Sequence, residues 1–384
     1  MRRLVLLVSA TVFVDTVFYA VVAPLLPGLV HQLHLSKLSA GVLTASYPLG
    51  TLLGALPGGA LAARAGPRIT LIAGLSLMAV SSVAFGFADS VPALDGARFV
   101  QGVGGACSWA GGLTWLVDAA GPRGRGGVIG AALGAGIAGS VLGPAVGTIA
   151  HALGRRAVFA SVLVVAAVLI AEAGRVERAQ ARSTQGLRDV LAALRAPGVL
   201  TGMWLMGVPA VASGMLTVLG PLRLGALGAG ATAIGATFLV ATALEATLSP
   251  IVGRFSDRRG RMLPLRAGLA SAAMLLLCFT LPGSALLLAA LIVLITGALG
   301  TFWAPAMAML SDAADQAGLN QGFAFALLNL AWAAGQVLGG GGGGALAKAA
   351  GEFAPAAVAA ALCALTLATT VAAGAGGARR ETMS

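Results

Sequence analysis

A chain of 384 residues, 58% of them hydrophobic and only 10% charged, departs far from the roughly 25% charged make-up of soluble domains. A water-soluble fold of this length has no core large enough to hide so much apolar surface, so a lipid-embedded protein is expected. The formal charge of +11 is spread over short connections between apolar runs, which argues for membrane topology and against nucleic-acid binding.

Hydrophobic runs predict twelve transmembrane helices, at 4–29, 39–62, 69–88, 91–118, 127–151, 156–173, 198–221, 231–252, 263–281, 284–311, 320–346 and 353–373. Span one follows Arg2-Arg3 and is read as a retained helix, because its run is long, carries Asp15 midway and lacks a small-residue cleavage site. At about 1.5 Å per residue from Leu4, Asp15 lies roughly 16 Å deep, near the bilayer centre. The span ends in Pro24-Leu-Leu-Pro27. Span four carries Arg98 and Gln101. A buried arginine costs several kcal/mol unless it pairs or faces an aqueous cavity, and Asp15 is the expected partner.

Span five places Gly130, Gly139, Gly143-Pro144 and Gly147 along one helix. Small residues at such spacing let helices approach closely, and Pro144 can kink the helix. Glu245 in span eight is a second intramembrane acid and so a candidate proton or cation site. Candidate cavity residues are Tyr19, Gln101, Trp109, Met203, Trp303, Asn329, Trp332 and Gln336. The amides of Asn329 and Gln336 need partners in hydrocarbon. Span eleven holds six consecutive glycines, Gly339 to Gly344, open to reading as a hinge, a packing surface or low-complexity drift. Cys107, Cys278 and Cys363 are far apart in apolar runs and form no disulfide framework or metal spacing.

Basic residues fall unevenly across the predicted spans. With both termini on one side, 18 of the 24 lie on that side, 5 on the other and Arg98 within a span. The positive-inside rule then puts both termini and the central connection in the cytoplasm of a multi-pass cell-membrane protein. That connection contains Leu187, Val190, Leu191 and Leu194 on one helical face with Arg188 and Arg195 off it, a pattern expected of a helix lying on the inner membrane surface. Gly41 and Gly235, Gly59 and Gly253, Arg64 and Arg258, Gly66 and Gly260, Trp109 and Trp303, and Asp118 and Asp312 all match at an offset of 194 residues. A duplicated unit follows, with an N-terminal six-helix half at 1–173, a linker at 174–197 and a C-terminal half at 198–384. Such halves typically enclose a substrate site near the midplane.

Two loops carry related sequences. Gly59, Arg64, Gly66 and Arg68 lie between spans two and three, and Gly253, Asp257, Arg258, Gly260 and Arg261 between spans eight and nine. This pattern resembles the cytoplasmic loop signature of the major facilitator superfamily, complete in the second copy and altered in the first, where Ala63 replaces the acid. Arg98-Phe-Val-Gln101-Gly102 is similar to another motif of that superfamily. The span-five glycines with Pro144 resemble the antiporter motif of its drug–proton exchangers, except that Thr148 stands in place of a final glycine.

The resemblance implies an all-α integral membrane fold of twelve helices in two pseudo-symmetric halves. It also implies that the loop charges, with Asp118 and Asp312 as candidate partners, latch the halves in one state. The expected function is proton-coupled antiport, exporting a small amphipathic compound by alternating access with Asp15 and Arg98 as the coupling pair. The alternative is a symporter or facilitator importing a metabolite on the same fold. No metabolic enzyme motif, metal site or cofactor is expected, and the proton gradient is the energy source. The implied partners are a small-molecule substrate, protons and the bilayer, with the chain acting as a monomer.

Overall fold

The computed structural model describes residues 1–176, 187–319 and 321–381; among these, the side chains at 121–126, 187, 250, 257, 259, 304, 321, 322, 325 and 373–381 lie outside the description. Among the described residues all regular structure is helical. In chain order the helices are α1 (Arg2–Ala20), α2 (Val22–Leu33), α3 (Lys37–Ala65), α4 (Pro67–Phe87), α5 (Val91–Leu153), α6 (Arg155–Arg175), α7 (Leu187–Ala193) and α8 (Pro197–Ala226). They continue as α9 (Ala231–Arg259), α10 (Met262–Leu277), α11 (Ala285–Gln316), α12 (Gln321–Val337), α13 (Gly343–Ala350) and α14 (Phe353–Glu381), with a π-helical turn at Leu338–Gly342 joining α12 to α13.

Eight segments among the described residues are long and apolar enough to cross a membrane. Composition explains why the other crossings fall short of that test. α3 is diluted by Gly50, Gly54, Pro48 and Pro57, the first part of α5 carries Asp95 and Arg98, α10 has only 16 residues, and the eleventh crossing is divided by its π turn. Leaving out the seven-residue linker helix α7, and counting α1 with α2, α5 twice and α12 with α13, gives the twelve expected crossings. Large apolar side chains such as Val164, Met274 and Leu286 remain exposed around the outside, as lipid-facing residues must.

Two expectations need correction. Helical bonding in α5 runs through the predicted connection at 119–126 instead of breaking there. The chain nevertheless reverses within it. Arg98, Gly105 and Gly112 meet Phe18, Asp15 and Val8, whereas Gly136, Gly143 and Gly147 meet Val12, Ala20 and Val21, so the two parts run in opposite senses along α1–α2. The linker helix is real but short. Val190 and Ala193 are buried in the bundle while Leu191 is exposed, so its apolar face packs on protein and is not uniformly turned to lipid.

The repeat is visible in the backbone. Gly66 and Gly260, 194 residues apart in sequence, both adopt positive φ (96° and 88°) where α3 turns into α4 and α9 into α10. A side chain is disfavoured at such angles, which accounts for glycine at both turns.

Candidate functional site

Asp15 lies in the middle of α1, and its residue is only 2% exposed. Its carboxylate is held by neutral donors. The Tyr47 hydroxyl, on α3, lies 2.8 Å from both Oδ1 and Oδ2, and the Trp109 indole N–H, on α5, donates to Oδ2 at 3.0 Å. The α5 backbone comes so close that a Cβ at Gly105 would stand 2.5 Å from the Tyr47 hydroxyl and 2.8 Å from Asp15 Oδ1. The ring of Tyr19 lies 5.0 Å from that of Tyr47 and 5.3 Å from that of Trp332 on α12, which brings the C-terminal half to the edge of this cluster.

Arg98 does not pair with Asp15, contrary to expectation. Its guanidinium donates to the Phe18 carbonyl at 2.8 Å, the Tyr19 carbonyl at 3.1 Å and Gln101 Oε1 at 2.6 Å. The reason is local. α1 stops at Ala20 and α2 restarts at Val22, and the carbonyls that accept from Arg98, those of Phe18 and Tyr19, lie in the last turn of α1. A planar fork of donors caps the exposed end of α1 better than it would serve a distant carboxylate. Gln101 passes the network on, donating to Ser82 Oγ at 3.0 Å. Arg98 still influences the acid through Tyr47, because its guanidinium carbon lies 4.9 Å from the centre of that ring. The wiring is therefore acid, phenol, guanidinium, helix end.

Span-five glycines supply the bed for α1. A Cβ at Gly139 would meet Thr16 Oγ1 at 2.1 Å, at Gly143 the Ala20 side chain at 2.5 Å, and at Gly147 the Val21 carbonyl at 2.3 Å. Gly130 differs from this expectation, since nothing lies within 4 Å of a Cβ placed there. On α5 beside Arg98, Gly102 is pressed against α3, where a Cβ would sit 2.0 Å from the Tyr47 carbonyl oxygen.

The sequence profile of the Major Facilitator Superfamily matches residues 8–335 and again 210–378. The chain belongs to this superfamily. As a facilitator it is a multi-pass membrane transporter and not an enzyme. The MFS-type transporter ppzB of Metarhizium majus is 29% identical over 165 residues, 41% of this chain and 35% of its own length. The 4-hydroxybenzoate transporter PcaK of Pseudomonas aeruginosa is 31% identical over 102 residues, 27% of this chain and 23% of its own. The chain thus spans about a third or less of the curated relatives it matches. Two solved structures share the fold over 95% of both chains: the xylose transporter XylE of E. coli, with a TM-score of 0.74 at 16% identity, and a bacterial homologue of the human lysosomal transporter Spinster, with 0.77 at 14%.

Elsewhere in this facilitator, the predicted site residues scatter. Glu245, on α9, packs where Gly300 of α11 leaves room, with its Cγ 2.9 Å from a Cβ position there, and it has no hydrogen bond or ion pair among the described residues. It belongs to a different helix seam from Asp15. Met203 and Trp303 are half-buried against the core, and Asn329 is half-buried on α12. Gln336 is buried beside Gly214 of α8.

Among the described residues, the loop arginines whose partners are seen bond within their own half. Arg261 pairs with Asp312 at 2.5 Å, and α10 and α11 belong to the same half. Arg68 donates to the Gly174 carbonyl at the end of α6. Arg64 and Arg258 are exposed and have no acid partner among the described residues, while the Asp257 side chain lies outside the description. Gly59 and Gly253 have open space where a Cβ would go. The Arg68 and Arg261 bonds both join a loop arginine to a neighbouring helix of the same half.

Sequence reasoning missed Tyr47, Ser82 and Gly105. A signal existed for the first. Tyr47 is one of two tyrosines in the chain, and a phenol in hydrocarbon needs a hydrogen-bond partner.

Proposed function

We propose that this facilitator exports a small amphipathic compound in exchange for protons, with Asp15 as the group that alternately holds the proton and the exported compound. One observation carries the reading: a buried carboxylate met by Tyr47 and Trp109, with no cation bonded to it among the described residues, beside rings that reach the other half through Tyr19 and Trp332. A carboxylate amid aromatic faces suits a compound with a positively charged head and an apolar body. Arg98, committed to the end of α1, positions the helix that carries the acid and does not neutralise it directly. Proton arrival at Asp15 weakens binding of a cationic compound, and loss of the proton restores it.

The experiment uses inverted vesicles carrying the full chain and a preformed proton gradient. Ethidium, chloramphenicol and benzoate serve as cationic, neutral and anionic probes, and growth of a pump-deficient host on each probe is measured alongside. Export predicts dissipation of the gradient by the ethidium class and raised tolerance in growth. Asp15→Asn should abolish both while the protein still inserts and remains monodisperse. Uphill export at the parental rate by Asp15→Asn would remove the acid from the mechanism, and heightened sensitivity in growth would reverse the direction to import.

A further inference from the structure

On the face of the bundle opposite the chain termini, two glycine-lined helix seams join one half to the other, beside a looser contact of Pro27 with Gly225. In the first, the start of α3 lies backbone to backbone on the π turn and α13. A Cβ at Gly41 would stand 2.6 Å from the Gly340 carbonyl oxygen, and one at Gly344 would stand 2.6 Å from that of Lys37. In the second, a Cβ at Gly235 of α9 would meet Thr148 Oγ1 of α5 at 2.1 Å. The glycine run of the eleventh crossing thus has a use: it admits the neighbouring half to backbone distance. A π turn widens the helix at this place, as such turns often do at working sites.

Over the first seam sits a cluster of three charges. Glu352, between α13 and α14, receives Lys37 Nζ on Oε1 at 2.7 Å and Arg223 Nη1 on Oε2 at 2.7 Å. Arg223 also donates to the Thr280 carbonyl at 2.5 Å. Only the Lys37 contact crosses between halves; Arg223, Thr280 and Glu352 all belong to the C-terminal one. The side chains are 40%, 15% and 21% exposed for Lys37, Glu352 and Arg223.

We propose that Glu352 is the catch of a gate on this face: Arg223 holds it in place, Lys37 engages it when the face is shut, and the glycine seam beneath is the surface that parts. Flat glycine contacts carry few interlocking side chains, so the halves can separate without unthreading a core. Separation releases a single ion pair at a rim where water can take up both charges. Arg223 keeps Glu352 aimed during the open interval, so that the gate recloses in register.

The test needs neither a substrate nor a pH gradient, so its failure is distinct from failure of the antiport reading. Cys107, Cys278 and Cys363 are replaced by alanine or serine, and Ala45→Cys is introduced on α3, where the Ala45 side chain lies 3.5 Å from the Cβ position of Gly341. The full chain in liposomes is labelled from the face opposite the termini with the membrane-impermeant reagent 2-sulfonatoethyl methanethiosulfonate. Glu352→Gln and Lys37→Met should each raise the labelling rate by about two- to fivefold, the range expected for releasing a partly exposed ion pair. The double variant should add nothing further, because the two residues share one contact. Two single variants, each checked for monodispersity, keep the test open should one fail to fold. Unchanged labelling in a folded single variant, or effects that multiply in the double, would overturn the gate.

Discussion

Gly105→Ala separates the acid site from the packing that surrounds it. The new methyl would start 2.5 Å from the Tyr47 hydroxyl and 2.8 Å from Asp15 Oδ1, against about 3.4 Å for ordinary contact. Both obstacles are ends of side chains, so the backbone can stay and the phenol must withdraw by roughly 0.9 Å. A hydrogen bond of 2.8 Å stretched by that much reaches about 3.7 Å and no longer counts as one. A bond to a charged acceptor is worth about 1.5–3 kcal/mol, or roughly 10- to 150-fold in an equilibrium at the carboxylate. Proton-coupled export in liposomes should therefore fall by at least tenfold, with the thermal unfolding midpoint lowered by only about 2–4 °C. Gly102→Ala is the converse. Its methyl would stand 2.0 Å from the Tyr47 carbonyl, a backbone atom that cannot swing aside, so stability and insertion should suffer first. Parental transport by Gly105→Ala would refute the argument, since the phenol–carboxylate contact would then be dispensable.

Arg98→Lys keeps the charge but cannot reach the Phe18 and Tyr19 carbonyls and Gln101 together; a loss of about 1–3 kcal/mol is expected by denaturant titration of the purified protein. At Glu352, burial pushes the carboxyl up, but hydrogen bonds and charge from Lys37 and Arg223 pull it further down, to below its ordinary range. An acid held lower in the shut form than in the open one favours shutting above the ordinary carboxylate range, and that preference fades as pH falls through and below about 4.3. The ratio of Ala45→Cys labelling in the parent to that in Glu352→Gln should rise there, because the loss of thiolate at low pH is common to both.

Span one, its acid and the duplicated halves were legible because hydrophobic length and charge placement are properties of single segments. Partners were not. Asp15 and Arg98 looked like a pair because they are ionisable residues embedded in neighbouring spans. What decided against it was the last turn of α1, whose Phe18 and Tyr19 carbonyls take the guanidinium while the carboxylate is served by a phenol and an indole. The loop arginines were no easier to place: Arg68 reaches the end of α6 and Arg261 reaches α11, neighbouring helices of the same half that no loop motif names. Glu352, which the structure pairs across the halves, carried no motif. Its meaning depends on Lys37, which lies 315 residues away in sequence.

Thr148 departs from the antiporter pattern, and the structure places the compensation on the other half. Its hydroxyl donates to the Pro144 carbonyl at 3.0 Å, which turns the side chain towards α9. There Gly235 leaves the space it needs, since a Cβ would stand 2.1 Å from Thr148 Oγ1 and 3.2 Å from the Pro144 carbonyl. The bulk lost at Gly235 is the bulk carried at Thr148, so the two positions act as one surface. Gly235→Ala should prop this second seam apart at a cost of about 1–3 kcal/mol, raising exposure of the face opposite the termini. Adding Thr148→Gly removes the nearer obstacle and should return labelling and turnover towards the parent. The double variant would then carry glycine where the motif has it and bulk where this chain has none. If Thr148→Gly fails to relieve Gly235→Ala, the clash is with the Pro144 carbonyl, and the seam is set by backbone geometry alone.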